Sequence, residues 1–468
     1  MAMGKRSTGQ QQELFIPTER LPKSPGHVFY RKLNTLLAEA GFDDWVEKVC
    51  GPYYANGKGR PSLPPGNYFR MLLVGYFEGI GSQRGIAWRC SDSLSLREFL
   101  AIPADEDSPD HSSLSYIRER LPLEVHSQVF VWILSLARVK NLLKGKNVGV
   151  DSTTLEANAA MKSIVRTETG EDWKEYLTRL MKEQGAIDAA ATPSDEDLRK
   201  FDKQRKDKKV SNDEWHSETD PDARICHMKD GTTHLAYKAE HAVDLDSELI
   251  VAAEIYFGNE HDTRTLEDTL LVAQANLTEA GSDVTTMNVP ADKGYHSAKI
   301  LTELAKDPTV RTYIAEPDRK HDNVWTDKPP EQKAAVYANR RRAKGSRGRK
   351  LQRLRSERVE RTFAHVCETG GARRTWLRGA DKVYKRYLLA AVAHNLGVLM
   401  RALFGMGTPR GLQQFRLDLS EVLCLAHLTW LALRASLRRV ENAWQCLWRS
   451  RNGFWTDERR VSRLAQAI

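Results

Sequence analysis

The stretch VGVDSTT at residues 148–154 decides the fold class of the chain. Its apolar, β-branched start predicts a short buried strand, and Asp151 follows at the end of that strand. A second predicted strand, residues 284–289, leads to Asp292 in the same way. A residue just past the carboxyl end of a buried strand points into the crevice where open α/β sheets bind ligands. We therefore expect Asp151 and Asp292 to converge at one edge of a sheet.

The stretches around these two acids predict a mixed sheet. Residues 223–255 alternate in polarity and then become continuously apolar, which predicts further strands. Residues 265–275 predict a helix with Asp262 as its N-cap, and residues 310–314 predict one more strand. Three leading strands followed by helix–strand units favour an α/β fold with a mixed sheet over a purely parallel one.

The chain before the first strand is predicted to be helical. Short helices joined by tight turns are predicted here. One begins after the prolines at 64 and 65, and two more begin at N-caps Ser82 and Asp110. Such a set is typical of a helix-turn-helix DNA-binding domain, and equally of any small helical bundle. Arg84 and Arg89 lie on the exposed side of one of these helices and are candidate DNA contacts.

The predicted domain organisation has three parts. They are a helical N-terminal domain at residues 1–146 that is a candidate DNA-binding domain, an α/β domain at 147–405 with a polar insertion near 165–220, and a helical C-terminal extension at 406–468. Residues 195–213 of the insertion are highly charged and predict a solvated arm. Trp215 is a candidate for stacking on an unpaired base or for local packing.

Composition excludes several classes of protein. Of the 468 residues, 28% are charged and 41% are hydrophobic, which excludes a disordered or collagen-like chain. The net charge of +9 suggests a polyanionic partner. No cysteine pair has zinc-finger spacing, and the chain starts without an apolar secretory segment. The longest apolar stretches, 388–400 and 422–433, are shorter than the roughly 20 residues of a membrane span. We therefore expect a soluble, cytoplasmic protein without a membrane partner.

Residues 340–361 form a dense basic run, in which half of the positions are Lys or Arg. This segment repels itself and needs a counter-anion, so a phosphate backbone is favoured over a merely solvated helix. The candidate DNA contacts are Arg340, Arg341, Arg342, Lys344, Arg347, Arg349, Lys350, Arg353, Arg355, Arg358 and Arg361, with Lys293 beside Asp292.

Two glutamates in the basic run are candidates for a third acid. Glu357 and Glu360 are three residues apart and lie on one helical face. Two aspartates at a sheet edge suit Mg²⁺ or Mn²⁺, which takes one or two carboxylates plus substrate phosphates. A third acid on a helix would complete a site for two metal ions that acts at phosphorus.

These motifs resemble one family, the DDE-type transposases of bacterial insertion sequences, in the group with an InsH-like N-terminal domain. The segments that carry the resemblance are GVDSTT at 149–154, ANA at 157–159, ADKGY at 291–295, ERVERTFAH at 357–365, GGARR at 370–374, and SPDHSSL at 108–114 in the helical head. They occur in order and cover roughly residues 20–405.

The resemblance implies an RNase H-like catalytic core with Asp151, Asp292 and Glu360 as the metal-binding triad for two Mg²⁺ or Mn²⁺ ions. The acidic helix departs from the family pattern. Where the family commonly has Tyr, Arg and Lys, this chain has Arg353, Ser356 and Cys367. Arg355 or Arg358 are candidate substitutes for the phosphate contact, and Glu357 stays a rival to Glu360.

The resemblance further implies a transposase of the bacterial nucleoid. It would bind the terminal inverted repeats of its element, cleave a phosphodiester at each end and join the 3′-hydroxyl to target DNA, as a homodimer on double-stranded DNA. Two alternatives stay open: a metal-dependent nuclease on the same fold, and a catalytically inactive DNA-binding repressor derived from such an element.

Overall fold

The computed structural model describes residue 24 and residues 26–55, 62–103, 105–205, 211–228, 231–317, 325 and 328–410, with a few positions between 427 and 438. Contacts divide the chain into one compact unit, Met1–Pro409, and a second, Arg410–Ile468. Most of the predicted helical C-terminal extension at 406–468 lies outside the described residues.

The N-terminal region is helical throughout its described part. The helices are α1 (Val28–Glu39), α2 (Phe42–Cys50), α3 (Pro65–Glu78), α4 (Gln83–Asp92), α5 (Leu94–Phe99), α6 (His111–Arg120) and α7 (Leu123–Val139). The predicted caps are confirmed, because Ser82 accepts from the backbone N–H of Gly85 and Asp110 from that of Ser112. Gly79 ends α3 with a φ of 71°, a left-handed conformation that favours glycine.

A six-stranded mixed sheet forms the centre of the compact unit. Its strands are β1 (Val148–Glu156), β4 (Arg224–His227), β5 (Thr233–Asp244), β6 (Ile250–Phe257), β7 (Asn288–Ala291) and β8 (Arg311–Ile314), in the order β4–β5–β1–β7–β8 with β6 also paired to β5. β5 runs antiparallel to β1, whereas β7 is parallel to both β1 and β8. The predicted mixed sheet is therefore confirmed.

The end of β1 differs from the sequence prediction at Asp151, whereas the end of β7 agrees with it at Asp292. β1 continues to Glu156 because it pairs with β5 along its whole length, so Asp151 lies within the strand and not at its end. Asp292 does follow directly after its strand, although β7 begins at Asn288, later than predicted. Pairing with a neighbouring strand, which the local pattern cannot reveal, extends β1 past the acid.

Helices cover the sheet. They are α10 (Asp262–Glu279), α11 (Ala298–Leu304), α12 (Pro330–Lys344), α13 (Ser346–Phe363) and α14 (Ala380–Phe404). α13 packs on β1 at Gly149, where an added Cβ would lie 3.1 Å from Val359 and 3.2 Å from Arg355. Gly149 therefore allows the close approach of α13. Asp151, two residues further along the strand, faces the same helix.

The polar insertion contains β2 (Ile164–Arg166), α8 (Trp173–Glu183), α9 (Asp195–Gln204) and β3 (Trp215–Ser217). The expected solvated arm is wrong for its first half, because Leu198 of α9 is buried against Leu177 and Met181 of α8. Trp215 is 4% exposed and makes an edge contact with Tyr176, which assigns it to local packing.

The helix α14 is long and apolar enough to cross a membrane by length and composition, unlike the shorter apolar stretches considered in the sequence. However, 78% of its most apolar window is buried inside the fold. It packs against α3, α7 and β6. We therefore assign it to the core.

Candidate active site

Asp151 and Asp292 lie next to each other across two parallel strands. Val150 of β1 pairs with Ala291 of β7. Asp151 directly follows Val150, and Asp292 directly follows Ala291. Burial raises the pKa of Asp151 above the usual range of an aspartate. The guanidinium of Arg355 opposes this rise, and the nearby charge of Asp292 adds to it. The structure therefore brings the first two predicted acids together.

Both carboxylate oxygens of Asp151 are engaged by the protein. Oδ1 accepts from the backbone N–H of Ser152 at 2.9 Å, and Oδ2 accepts from Nη1 of Arg355 at 2.6 Å. The Arg355 side chain is only 9% exposed. Arg355, expected as a phosphate contact, thus forms a buried ion pair with a predicted catalytic acid.

Gln352 fixes α13 to the second acid-bearing strand. Its side-chain amide donates to the backbone carbonyl of Ala291 at 2.9 Å and also to that of Tyr313. Gln352 Oε1 in turn accepts from Nε of Arg355. One face of α13 therefore contacts both strands that carry the aspartates.

The two glutamates, three residues apart on the exposed part of α13, have different partners. Residues 352, 356 and 360 follow one another at successive turns, and Ser356 donates to Glu360 Oε1 at 2.9 Å. Glu360 therefore lies on the flank of Gln352, which contacts the residue before Asp292. Glu357 instead accepts from Arg361, which also pairs with Glu248 in the turn between β5 and β6.

Both glutamates are exposed. Across the described part of the chain, no three His, Cys, Asp or Glu side chains are close enough to hold one metal ion. The complete triad therefore stays a prediction. The donor set itself fits, because the two adjacent aspartates supply the hard oxygen ligands that Mg²⁺ takes together with substrate phosphates.

A charged network lies on the opposite face of the sheet, under β1. Ser152 donates through Oγ to Asp262 Oδ1 at 2.9 Å, and Lys238 Nζ lies 2.8 Å from the same oxygen. The N-cap role expected for Asp262 is wrong, because His261 is the N-cap of α10 and makes no side-chain cap bond. Asp262 is the first residue inside the helix.

The same network contacts the turn after Asp292. Tyr295 donates from its hydroxyl to Glu240 Oε2 at 3.0 Å, and Lys238 Nζ lies 3.2 Å from that oxygen. Lys238 and Glu240 were not predicted as site residues from the sequence. Their signal was two charged residues at alternate positions of an otherwise apolar strand, hence on one face.

The basic run divides into exposed and engaged side chains. Arg340 pairs with Glu316 at 2.7 Å, Arg342 donates to Thr312, and Arg358 and Arg361 lie at Glu248. The exposed members are Arg341, Lys344, Arg347, Arg349, Lys350 and Arg353.

The remaining candidate DNA contacts lie outside the basic run. Lys293 is exposed directly beside Asp292. In the head, Arg84 is exposed, whereas Arg89 pairs with Glu78 at 2.6 Å.

Two family models match this chain, and both describe transposases. A transposase domain (DUF772) matches residues 18–120, and a transposase DDE domain matches residues 211–396. The two matches together span more than half of the chain. The chain belongs to the insertion-sequence DDE transposases, as the resemblance in its motifs predicted.

The DDE match contains Asp292 and Glu360, whereas Asp151 precedes the matched residues. No curated protein and no solved structure matches the chain.

Proposed function

We propose that this transposase binds the terminal inverted repeats of its element, cleaves a phosphodiester at each end and joins the freed 3′-hydroxyl to target DNA. The observation that carries the proposal is the pair Asp151 and Asp292, which β1 and β7 hold side by side. Two carboxylates at neighbouring strands, under a basic helix, suit the hydrolysis and transfer of phosphodiesters.

The catalytic core is RNase H-like in this proposal. A mixed sheet with the two aspartates on adjacent parallel strands, and with an acid-bearing helix packed over them, supports it. The catalytic domain would comprise residues 147–405, and the N-terminal domain at 1–146 would read the repeats.

Asp151, Asp292 and Glu360 would hold two Mg²⁺ or Mn²⁺ ions. When bound, such ions activate a water or hydroxyl and neutralise charge at the leaving oxygen. Glu360 is preferred to Glu357 because it lies on the flank of Gln352, whose amide contacts Ala291 beside Asp292. The rest of the protein's contribution is positioning and charge neutralisation of the substrate.

The DNA backbone would lie along the exposed part of the basic run and against Lys293. Arg84 and Arg89 would contact the repeat through the head. Two ends must be cut together, so we expect a homodimer on double-stranded DNA, acting at the nucleoid.

Strand transfer from a pre-cut end tests the proposal. The purified chain is incubated with a labelled end fragment, circular plasmid and Mg²⁺ or Mn²⁺. We expect joined product from the natural protein, none from Asp151→Asn or Asp292→Asn, and unchanged product from Asp307→Asn, which alters an exposed aspartate outside the site.

The outcomes separate the proposal from its two alternatives. Cleavage of an intact end without any joining would identify a nuclease. Binding of the repeats with neither cleavage nor joining, and with equal affinity in the Asp151→Asn and Asp292→Asn variants, would identify a repressor.

A further inference from the structure

The network around Lys238 joins β1, β5, α10 and the turn after Asp292 under the active site. Lys238 and Glu240 lie on β5, where Glu240 is directly opposite Ser152 of β1. Asp262 and Thr265 lie in the first turn of α10, and Tyr295 follows Asp292 by three residues. Lys238 is 5% exposed and Glu240 is fully buried.

Ser152 connects this network directly to Asp151. Neighbouring residues of a strand point to opposite faces of the sheet, so Asp151 faces α13 while Ser152 faces α10. The Ser152 hydroxyl donates to Asp262, and its backbone N–H donates to Asp151 Oδ1. A shift of Ser152 on one face would therefore move a carboxylate oxygen on the other.

A second arm of the network holds the segment after Asp292. The backbone N–H of Tyr295 donates to the carbonyl of Asp292 at 3.1 Å, and the Tyr295 hydroxyl donates to Glu240. Gly294 lies against Asp262, where an added Cβ would be 2.6 Å from Oδ2. Both acid-bearing segments thus rest on the same charged groups.

Stability alone is a weak reason for this arrangement. Replacing a buried ion pair by well-packed apolar residues is often neutral or stabilising. A charged bridge adds directional hydrogen bonds, and here Lys238 Nζ has three acceptors: Asp262 at 2.8 Å, Glu240 at 3.2 Å and Thr265 at 2.7 Å. These bonds fix where Asp262 and Glu240 lie, and hence where Ser152 and Tyr295 lie.

We infer that Lys238 and Asp262 are positioning residues of the active site, which fix the segments carrying Asp151 and Asp292 from the opposite face of the sheet. The inference rests on the proposed function, because it concerns the geometry of the proposed metal ligands. It assigns neither residue to the metal or to the DNA.

Binding of Mn²⁺ to the full-length protein, followed by the electron paramagnetic resonance signal of free Mn²⁺, tests the inference without requiring activity. Loss of an outer partner of a metal ligand typically weakens metal affinity about 10- to 100-fold. We expect Asp262→Asn and Ser152→Ala each to weaken Mn²⁺ binding about tenfold. The double variant should bind Mn²⁺ no more weakly than the weaker single variant, because both changes act through the same contact between Ser152 and Asp262.

Asp381→Asn is the matched control. Asp381 pairs at 2.7 Å with Lys385, another buried lysine, but this pair lies on α14 away from the aspartates. Its Mn²⁺ affinity should equal that of the natural protein. If Asp262→Asn fails to fold, Ser152→Ala decides the matter, because it removes a single hydroxyl.

Failure of the inference can be distinguished from failure of the proposed function. The inference alone would be overturned if Ser152→Ala or folded Asp262→Asn kept the natural Mn²⁺ affinity. Fully additive losses of Mn²⁺ affinity in the double variant would overturn it as well. If the natural protein bound no Mn²⁺, or if Asp292→Asn left its Mn²⁺ binding unchanged, the metal site of the proposed function would be wrong. The inference would then fail with it.

Discussion

Arg355 donates from Nη1 to Oδ2 of Asp151 at 2.6 Å, and this contact joins the basic helix α13 to the first acid of the site. The contact neutralises a carboxylate that is mostly removed from water. It also occupies one of the two Asp151 oxygens that the proposed metal site would draw on. In the proposed site, Arg355 and a divalent cation would therefore be alternative counter-charges for Asp151.

Replacement of Arg355 by alanine should destabilise the protein and make its stability depend on Mg²⁺. Removing one member of a buried ion pair costs about 3–5 kcal/mol, because the other charge is left buried and uncompensated. Since a ligand that binds only the folded state stabilises it, millimolar Mg²⁺ should restore more of the free energy of unfolding in the variant than in the natural protein. Urea unfolding with and without Mg²⁺ measures both effects.

The control for this prediction is Arg353→Ala. Arg353 lies two residues earlier on α13 and is exposed, so its loss should change stability by less than about 0.5 kcal/mol. Equal losses in the two variants, or equal stabilisation by Mg²⁺ in Arg355→Ala and the natural protein, would contradict the assigned pair.

Glu360→Ala and Glu357→Ala should differ sharply in activity. Glu360 accepts from Ser356 and lies nearer than Glu357 to the flank of α13 that contacts the strand before Asp292, whereas Glu357 is paired with Arg361. Loss of a residue of the catalytic set lowers the rate by roughly three orders of magnitude or more. We expect that loss in cleavage of a labelled end for Glu360→Ala, and less than about a threefold change for Glu357→Ala.

Each glutamate variant serves as the control for the other, because both residues are exposed on the same helix. The reverse result would assign the third acid to Glu357. Natural activity in both variants would mean that neither glutamate completes the site.

Much of the fold was predictable because its signals are local. Ser82 and Asp110 cap their helices through side-chain oxygens, and the short apolar strands before Asp151 and Asp292 are visible as β-branched or apolar runs. Asp292 follows its strand as predicted. The position of Asp151 within a longer strand depends on pairing with β5, so no local pattern could reveal it.

The contacts around the site were not predictable for the same reason. Arg355 was one of many arginines in the basic run, and only packing of α13 on β1 brings it to Asp151. In the insertion, by contrast, the sequence does contain a local signal for the helix α9. Ser194 and Asp197 form a capping box, and Leu198 and Phe201 follow at helical spacing, which together predict α9.

DNA affinity should depend on the exposed members of the basic run. Each phosphate contact contributes about −0.9 to the slope of log affinity against log salt. We expect Arg341→Gln with Lys344→Gln to lower affinity for all DNA sequences alike and to reduce the slope by about two. Binding to repeat and unrelated duplexes at several salt concentrations measures both quantities.

The matched control is Arg358→Gln with Arg361→Gln, which removes the same charge from two arginines that lie at Glu248. These changes should alter the slope by less than about one. A larger effect in the control pair than in the exposed pair would mean that the DNA lies along α13 near Glu248 and not along the end of α12 at Arg341 and Lys344.

Stability should fall in mild acid because of His126 in the helical head. Its Nδ1 lies 3.0 Å from the carbonyl oxygen of Pro122, and its Nε2 lies 3.1 Å from the hydroxyl of Tyr68. A neutral imidazole satisfies both contacts, donating at Nδ1 and accepting at Nε2. Burial lowers the pKa of His126 to about 4, from the usual 6.5.

The imidazole of the unfolded chain therefore takes up a proton at a higher pH than that of the folded chain. Stability is lost as the pH falls from about 6.5 towards about 4. The contribution of His126 at pH 5 should be about 2 kcal/mol smaller than at pH 7. Urea unfolding at pH 7 and at pH 5 measures this effect. Between the two pH values, the free energy of unfolding of His126→Gln should fall by about 2 kcal/mol less than that of the natural protein. His227→Gln, which alters an exposed histidine, should keep the natural pH dependence. An unchanged pH dependence in His126→Gln would mean that this imidazole is not held neutral by the fold.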